Sequence, residues 1–442
     1  MSGADPLELS DWLRIRRHTV PDWMIEECTA ARERGDWRLA CAIGEVEIAF
    51  DERDAPLDDL AGFAPDLLRW HLPRHAGGHT TLLNGTTYVL TEGDPVLVLR
   101  SPVSFLGSQR LTLDLMRRAD ITRQRHVRLP RPLWDAREAD RLRTMVGGSA
   151  RRVPYFDPGG SPLPPSELGI GDDAPARAER RHVDRRDGFG PERGGLPDPS
   201  VDLDLVRHGL LQPHDLHPLV RSSLFPTAPA AVPATPPVSE PVRVRCGSGW
   251  HEVLNRSGRL DLLDHTATEH RRERALQVLG GAAHGCFAVE QAWTGPVGRL
   301  PRRLRADRDA LWLRIQHGGT RAALDALAAG MDPDLRDSRG RNLMHALGWF
   351  DHRRVLPVLL AAGVEVDARD REGCTPLARA VSYPWSLDLI EGLIAAGADP
   401  YAPSADDPDV PIHRCDHIRR RMRWRGADPA TLAVIEFFER YA

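Results

Sequence analysis

Three segments of the chain, AALDALAAGMDPDLRD (322–337), VLPVLLAAGVEVDARD (355–370) and LIEGLIAAGADPYAPS (389–404), align on an Ala-Gly pair. The pairs are Ala329-Gly330, Ala362-Gly363 and Ala396-Gly397, so the intervals are 33 and 34 residues. Equivalent helical positions stay apolar: Ala323, Leu356 and Ile390; Ala326, Leu359 and Leu393; Leu327, Leu360 and Ile394. A unit of this length cannot stand alone. Ordering each residue costs about 1.5 kcal/mol, whereas a fully buried Leu or Ile returns about 1.5–3 kcal/mol. The units must therefore stack, and the two ends of a short stack need covers. DRDALWLRIQHG is expected to supply the first cover. PIHRCDHIRRRMRWRG and DPATLAVIEFFERYA are expected to supply the second, with Cys415, Ile418 and Met422 on one face and Asp428-Pro429 starting the last helix.

Each interval holds a second helix, beginning at GRNLMHAL and at GCTPLARA (Gly373 to Ala380). Glycine permits a tight turn, threonine can cap a helix, and proline suits its first turn. With its period and its G-x-T-P-L core, the region of about residues 305–404 resembles an ankyrin-repeat array. The first copy keeps glycine and His345 but has Asn342-Leu343 in place of Thr-Pro, which predicts a softer helix start. APDLLRWHLPR and GCFAVEQAW resemble, more distantly, stretches of actinobacterial ankyrin-repeat proteins. The ankyrin resemblance implies recognition of a protein partner by loop tips and first-helix faces. The corresponding residues are Arg336, Ser338, Arg339 and Arg341 in one tip, Arg369, Arg371, Glu372 and Cys374 in the next, and Arg379 on the helix. Arginine's planar donors suit carboxylates, so the expected partner has an acidic surface. The competing expectation is that these arginines pair with Asp334, Asp337, Asp367 and Asp370 beside them and keep the tips soluble.

The remaining chain reads as a multidomain α+β protein. Helical punctuation at Pro21-Asp22, Gly35 and Asp36 gives way to a period of two in HTTLLNGTTYVL, DPVLVLR and QRLTLDLM, where Asn84-Gly85 signals a hairpin. Residues 8–149 are thus expected to form an N-terminal mixed helix and antiparallel-sheet domain. Pro and Gly crowd residues 150–240, predicting a mostly irregular linker with one docked helix near VDLDLVRHGLL. A small central β-α module is expected over 241–304, with strands around Ser257-Gly258 and a capping box from Thr266 to Glu269. The C-terminal α-solenoid of ankyrin repeats (305–404) and a helical cap (405–442) follow.

Composition narrows the function classes. All 59 basic residues are arginine, which removes the P-loop lysine and Schiff-base chemistry and points to a GC-rich bacterial genome. A net charge of −4 gives no general reason to seek nucleic acid. The six cysteines form no C-x-x-C, which argues for reduced thiols in a cytosol and against a structural zinc site. The longest apolar run, Val355 to Val366, is too short to span a bilayer, and the acidic N-terminus carries no secretion signal.

The chemical candidates are few. Cys246 in CGSGWHE resembles the cysteine of papain-like proteases, but VRVRC and WHEVL read as strands around a Gly-Ser-Gly turn, not as the start of a long helix. His71, His75 and His79 are spaced for one helical face that Pro73 and Gly77-Gly78 break. His413, Cys415 and His417 alternate within a helical pattern. The basic run RRRMRWRG (Arg419 to Gly426), with Trp424 for stacking, reads as the solvated face of a capping helix. No catalytic residue, metal or cofactor is assigned from sequence. The expected function is a cytoplasmic scaffold or adaptor that binds another protein, with no membrane or nucleic acid involved. The alternative is an enzyme of unknown reaction in residues 1–300 whose repeats recruit a protein substrate.

Overall fold

The computed structural model describes residues 6–75, 80–102, 107–121, 126–184, 198–228, 240–295, 298–382, 386–405, 407, 409–416, 418–419 and 429–441. They form two compact units, Met1–Thr235 and Pro236–Ala442. Each mixes helices with one small sheet.

In the first unit, β1 (Val46–Ile48), β2 (Thr87–Val89), β3 (Val96–Arg100), β4 (Leu111–Met116) and β5 (His126–Arg128) form a sheet of order β1-β4-β3-β2-β5. Alternation along β3 sends Leu97 and Leu99 into the main core, while Val96 and Val98 join Ile121 on the other face. The sheet departs from the antiparallel expectation at both edges, because β1 runs parallel to β4 and β2 parallel to β5. Both edge strands reach their partners through long connections, which is what parallel pairing requires. Asn84-Gly85 takes a turn conformation but does not join two strands. The β2–β3 hairpin closes instead through residues 90–95, where Gly93 has φ 117°.

Residues 150–184 and 198–228 also correct the linker expectation. They carry helices Ala174–Asp184, Val201–Arg207 and Pro218–Leu224. Val153, Phe156, Leu203, Leu205, Leu224 and Phe225 are buried in the same core as Phe63 and Trp134. Proline and glycine shape the turns here, but the apolar residues between them are frequent enough to add a layer. Two buried contacts fix that layer: the ion pair of Arg16 Nε with Asp202 at 2.5 Å and the hydrogen bond between His217 Nε2 and Asp66 at 3.0 Å. Residues 229–239 lie outside the described residues.

The second unit opens with β6 (Val242–Cys246), β7 (Gly249–Arg256) and β8 (Arg259–Leu262), an antiparallel meander. Helix Ala267–Val278 starts at the Thr266–Glu269 capping box, with Thr266 N–H donating to Glu269 at 2.7 Å and Glu269 N–H to Thr266 Oγ1 at 3.3 Å. Helix Gly285–Thr294 follows, then Arg302–Ala328, which bends at Gly319 (φ 61°, ψ −150°). One core runs from Val244 through Val355 and Leu389 to Phe438. Stretches expected as a central module, repeats and a cap therefore share a single interior.

The repeated Ala-Gly pairs end helices Arg302–Ala328, His352–Ala361 and Leu387–Ala395 in the same way. Gly330, Gly363 and Gly397 have φ of 92°, 80° and 100°. Each donates to the carbonyl three residues back, and the next residue donates five back: Met331 to Ala326, Val364 to Leu359 and Ala398 to Leu393, at 3.0–3.1 Å. This double bond pattern satisfies the terminal carbonyls of each helix. The intervening short helices differ as their first residues predict. Thr375 Oγ1 accepts from Ala378 N–H at 3.2 Å and Pro376 starts an α-helix, Pro376–Ser382, whereas Asn342-Leu343 opens a 3₁₀ helix, Leu343–Trp349.

Candidate functional site

Two tips project between the helices, and one aspartate builds each. Asp337 Oδ1 accepts from Arg339 N–H at 2.8 Å and Arg341 N–H at 2.9 Å, and Gly340 turns the chain with φ 76°. Thirty-three residues on, Asp370 Oδ1 accepts from Glu372 N–H at 2.9 Å and Cys374 N–H at 3.0 Å, with Gly373 at φ 79°. The tips are joined to each other. Arg371 N–H donates to Arg339 O at 3.1 Å, and the Arg371 guanidinium donates to Ser338 O at 2.7 Å.

The six arginines expected at a binding surface divide into two groups. Arg336 is buried: its guanidinium donates to Thr294 O at 2.9 Å, Gly340 O at 3.0 Å and Arg369 O at 2.8 Å, and pairs with Asp334 at 3.2 Å. It holds three backbone carbonyls from inside, and a partner cannot reach it. Arg379 bridges Asp370 at 2.6 Å and Glu372. Arg341 pairs with Asp337 at 2.7 Å. Local pairing thus describes these three. Arg339, Arg369 and Arg371 are exposed. Cys374 is buried beneath the second tip.

His345 links the short helix to the next tip. Its Nδ1 lies 2.6 Å from Asn342 Oδ1 and 3.3 Å from Asn342 N, and its Nε2 lies 3.2 Å from Cys374 O. Burial lowers its pKa to about 4, outweighing the opposing pull of Asp370. Burial thus favours the neutral imidazole, although both ring nitrogens face oxygen acceptors.

Each histidine group considered from sequence has one member outside the described residues. His71 is buried in helix Pro65–His71, where burial and then Arg16 depress its pKa, and His75 Nε2 contacts Asn84 Oδ1 at 2.9 Å. His79 and His417 lie outside the described residues, as do Arg420 to Gly426 of the basic run. Cys415 is buried with a left-handed backbone, φ 50°.

A different set assembles. Cys246, His251, His265 and Cys286 place one donor atom each within 4.8 Å of the others. Cys246 ends β6, and His251 stands on β7 across from Val244. Since cross-strand partners share a face, Cys246 and His251 extend the side of the hairpin on which Val244 and Val253 are buried. His265 follows β8, and Cys286 lies in the first turn of helix Gly285–Thr294. His265 Nε2 is 2.8 Å from His251 Nδ1 and 3.7 Å from Cys246 Sγ. Phe287 packs edge-on against His265, with ring centroids 4.6 Å apart. Burial, then the neighbouring Cys246, pushes the Cys286 thiol up to about 12, and burial lowers the His265 pKa. The sequence signal for this set was weak, because its four members belong to four elements. The nearest hint was two donor residues flanking the turn in CGSGWHE. A second group, Asp370, Glu372 and Cys374, is already engaged by Arg379 and the tip backbone.

The first unit also gathers polar and charged side chains in its interior. Arg16, Asp66, Asp202 and His217 are all buried. Asp202 also accepts from Trp70 Nε1 at 2.9 Å, and Arg16 donates to Trp70 O at 2.5 Å. These bonds dock residues 198–228 onto the N-terminal helices.

No family model matches the chain. It is similar to neurogenic locus notch homolog protein 4 of Homo sapiens, with 37% identity over 113 residues, which are 25% of this chain and 5% of that protein. It is also similar to an ankyrin repeat-containing protein of Schizosaccharomyces pombe, with 30% identity over 98 residues, 20% of this chain and 47% of that protein. The chain thus spans less than half the length of either relative. These similarities point to ankyrin repeats in part of the chain. Among the described residues, no helix is long and apolar enough to cross a membrane.

Proposed function

We propose that the chain is a cytoplasmic scaffold or adaptor that binds another protein through a short ankyrin stack over about residues 305–404. The observation that carries this reading is the bonding of one tip to the next, Arg371 N–H to Arg339 O and its guanidinium to Ser338 O. Successive tips are thereby presented at a fixed spacing, which lets several side chains meet one partner with little ordering cost. The ankyrin repeat-containing relative supports the same role. Exposed Arg339, Arg369 and Arg371 form the contact set, and a partner bearing carboxylates suits them. Arg336, Arg341 and Arg379 position the tips from behind.

The test is a pull-down from native lysate with full-length protein as bait. A partner retained by the wild type is expected to be lost with Arg339→Glu/Arg371→Glu. Thermal unfolding should show the double variant folded, with a loss of about 1 kcal/mol from the Arg371–Ser338 bond. Undiminished retention by a folded double variant would remove the tips as the binding surface.

A further inference from the structure

We propose that Cys246, His251, His265 and Cys286 form a tetrahedral, structural zinc site in the second unit. Two thiolates and two imidazoles are the donor set that borderline-soft Zn²⁺ takes when all four positions are filled by protein. Tetrahedral zinc places S and N donors about 3.3–3.8 Å apart, given Zn–S near 2.3 Å and Zn–N near 2.0–2.1 Å. The four donors here already lie within 4.8 Å of one another, so side-chain rotations of about 1 Å complete the geometry. With both thiols ionised the loaded site carries no net charge, which suits a half-buried position beside Phe287.

The backbone is shaped to allow this convergence. Gly285 has φ 57°, and a Cβ there would lie 2.5 Å from Cys246 Sγ and 2.9 Å from Cys246 Cα. Only glycine lets the helix start close over the end of β6 and bring Cys286 beside Cys246. Gly247, at φ 61°, turns the hairpin tightly enough to keep Cys246 and His251 on one face. The metal would tie together β6, β7, the turn after β8 and helix Gly285–Thr294. That helix bears on the repeats directly: Trp293 Nε1 donates to Gly258 O at 2.9 Å, and Trp293 O accepts from Arg336 N–H at 3.0 Å. The site would thus brace the N-terminal side of the stack, whatever the tips bind.

Full-length protein, stripped by chelator under reducing conditions, is reloaded with zinc or with Co²⁺ as a spectroscopic probe. The expected result is one metal per chain, with the strong visible bands of tetrahedral cobalt and a near-ultraviolet thiolate-to-cobalt band. Cys246→Ser/Cys286→Ser should lose that band, and His251→Ala should weaken zinc binding. Changes to outer-shell partners alone cost about 10–100-fold in metal affinity, so loss of His251 should cost at least that much. If a cysteine variant fails to fold, the wild-type cobalt spectrum still decides. Three results would overturn the proposal: less than stoichiometric metal in the reloaded wild type, a cobalt spectrum without the thiolate band, or a folded double-cysteine variant that binds as the wild type does. So would a Cys246–Cys286 disulfide, seen as a mass two hydrogens lower, that persists under those reducing conditions.

Discussion

Arg16 in the first unit and Arg336 in the second are both buried arginines, and they are held in opposite ways. Arg16 meets Asp202, which is 186 positions away in sequence, and lies over the rings of Trp12 and Trp70 at 5.1 and 4.8 Å. Arg336 meets Asp334 and Gly340, both within four positions, Arg369 one repeat away and Thr294, 42 positions back. The first unit is therefore closed by a few long-range ionic contacts that occur once. The tips of the second are held largely by short-range contacts that recur, Arg336 to Gly340 O and Arg369 to Gly373 O. Cooperativity should concentrate at single residues in the one and be shared among equivalent residues in the other.

The largest effect that tests this contrast is expected from Asp202→Ala. It leaves the Arg16 guanidinium buried without its carboxylate and removes the acceptor of Trp70 Nε1. Breaking one side of such a pair costs about 3–5 kcal/mol. Asp334→Ala, whose side chain is 40% exposed beside Arg336, should cost about 1 kcal/mol. Urea unfolding of both full-length variants measures the difference. Equal losses would break the contrast, since Arg336 would then depend on its carboxylate as strongly as Arg16 does.

That contrast also decides what could be read from the sequence. The repeats were legible because Ala-Gly recurs at 33 and 34 residues, and each pair encodes a helix end that needs nothing distant. The different starts at Asn342-Leu343 and Thr375-Pro376 were legible for the same reason. Asp202 and Asp66 look like ordinary surface acids, and only the fold brings Arg16 and His217 to them. In the described residues of 150–228, the Pro- and Gly-rich composition marks the turns while concealing the apolar residues that dock the segment. Arg336 looked like a binding residue because its charge favours solvent; Asp334 beside it was an expected partner, but the three backbone carbonyls it also holds leave no trace in sequence. Cys246, His251, His265 and Cys286 escaped for a related reason, since short metal-binding spacings require ligands on one element and these lie on four.

A second effect, of intermediate size, sharpens the comparison by pH. His345 joins a short helix to the following tip, and its folded pKa of about 4 lies below the ordinary value of 6.5. The unfolded chain therefore takes up the proton first as pH falls. The stability at stake is intact above pH 6.5 and is lost progressively as pH falls toward 4. Between pH 7 and pH 5 the loss is about 2 kcal/mol. His345→Gln removes this dependence whatever its own cost, so the difference between the two pH profiles isolates the imidazole from carboxylates that titrate nearby. If the two profiles run parallel, His345 does not couple the repeat to its neighbour in the neutral form.

The smallest effect is the most specific to repetition. Gly363 has φ 80°, and a Cβ added there would meet nothing within 4 Å. Gly363→Ala consequently introduces no clash with neighbours, and its cost is that of a left-handed alanine, about 1–2 kcal/mol. Gly330 (φ 92°) and Gly397 (φ 100°) stand in the same open space and end their helices with the same two hydrogen bonds. Gly330→Ala, Gly363→Ala and Gly397→Ala should therefore lower stability by equal amounts, within about 0.5 kcal/mol, and a pair of them should add. Thermal unfolding of the three single variants and one double variant measures this. Unequal costs would mean that the helix ends, despite matching geometry, carry different loads, and that the second unit is closed at one preferred place as the first unit is.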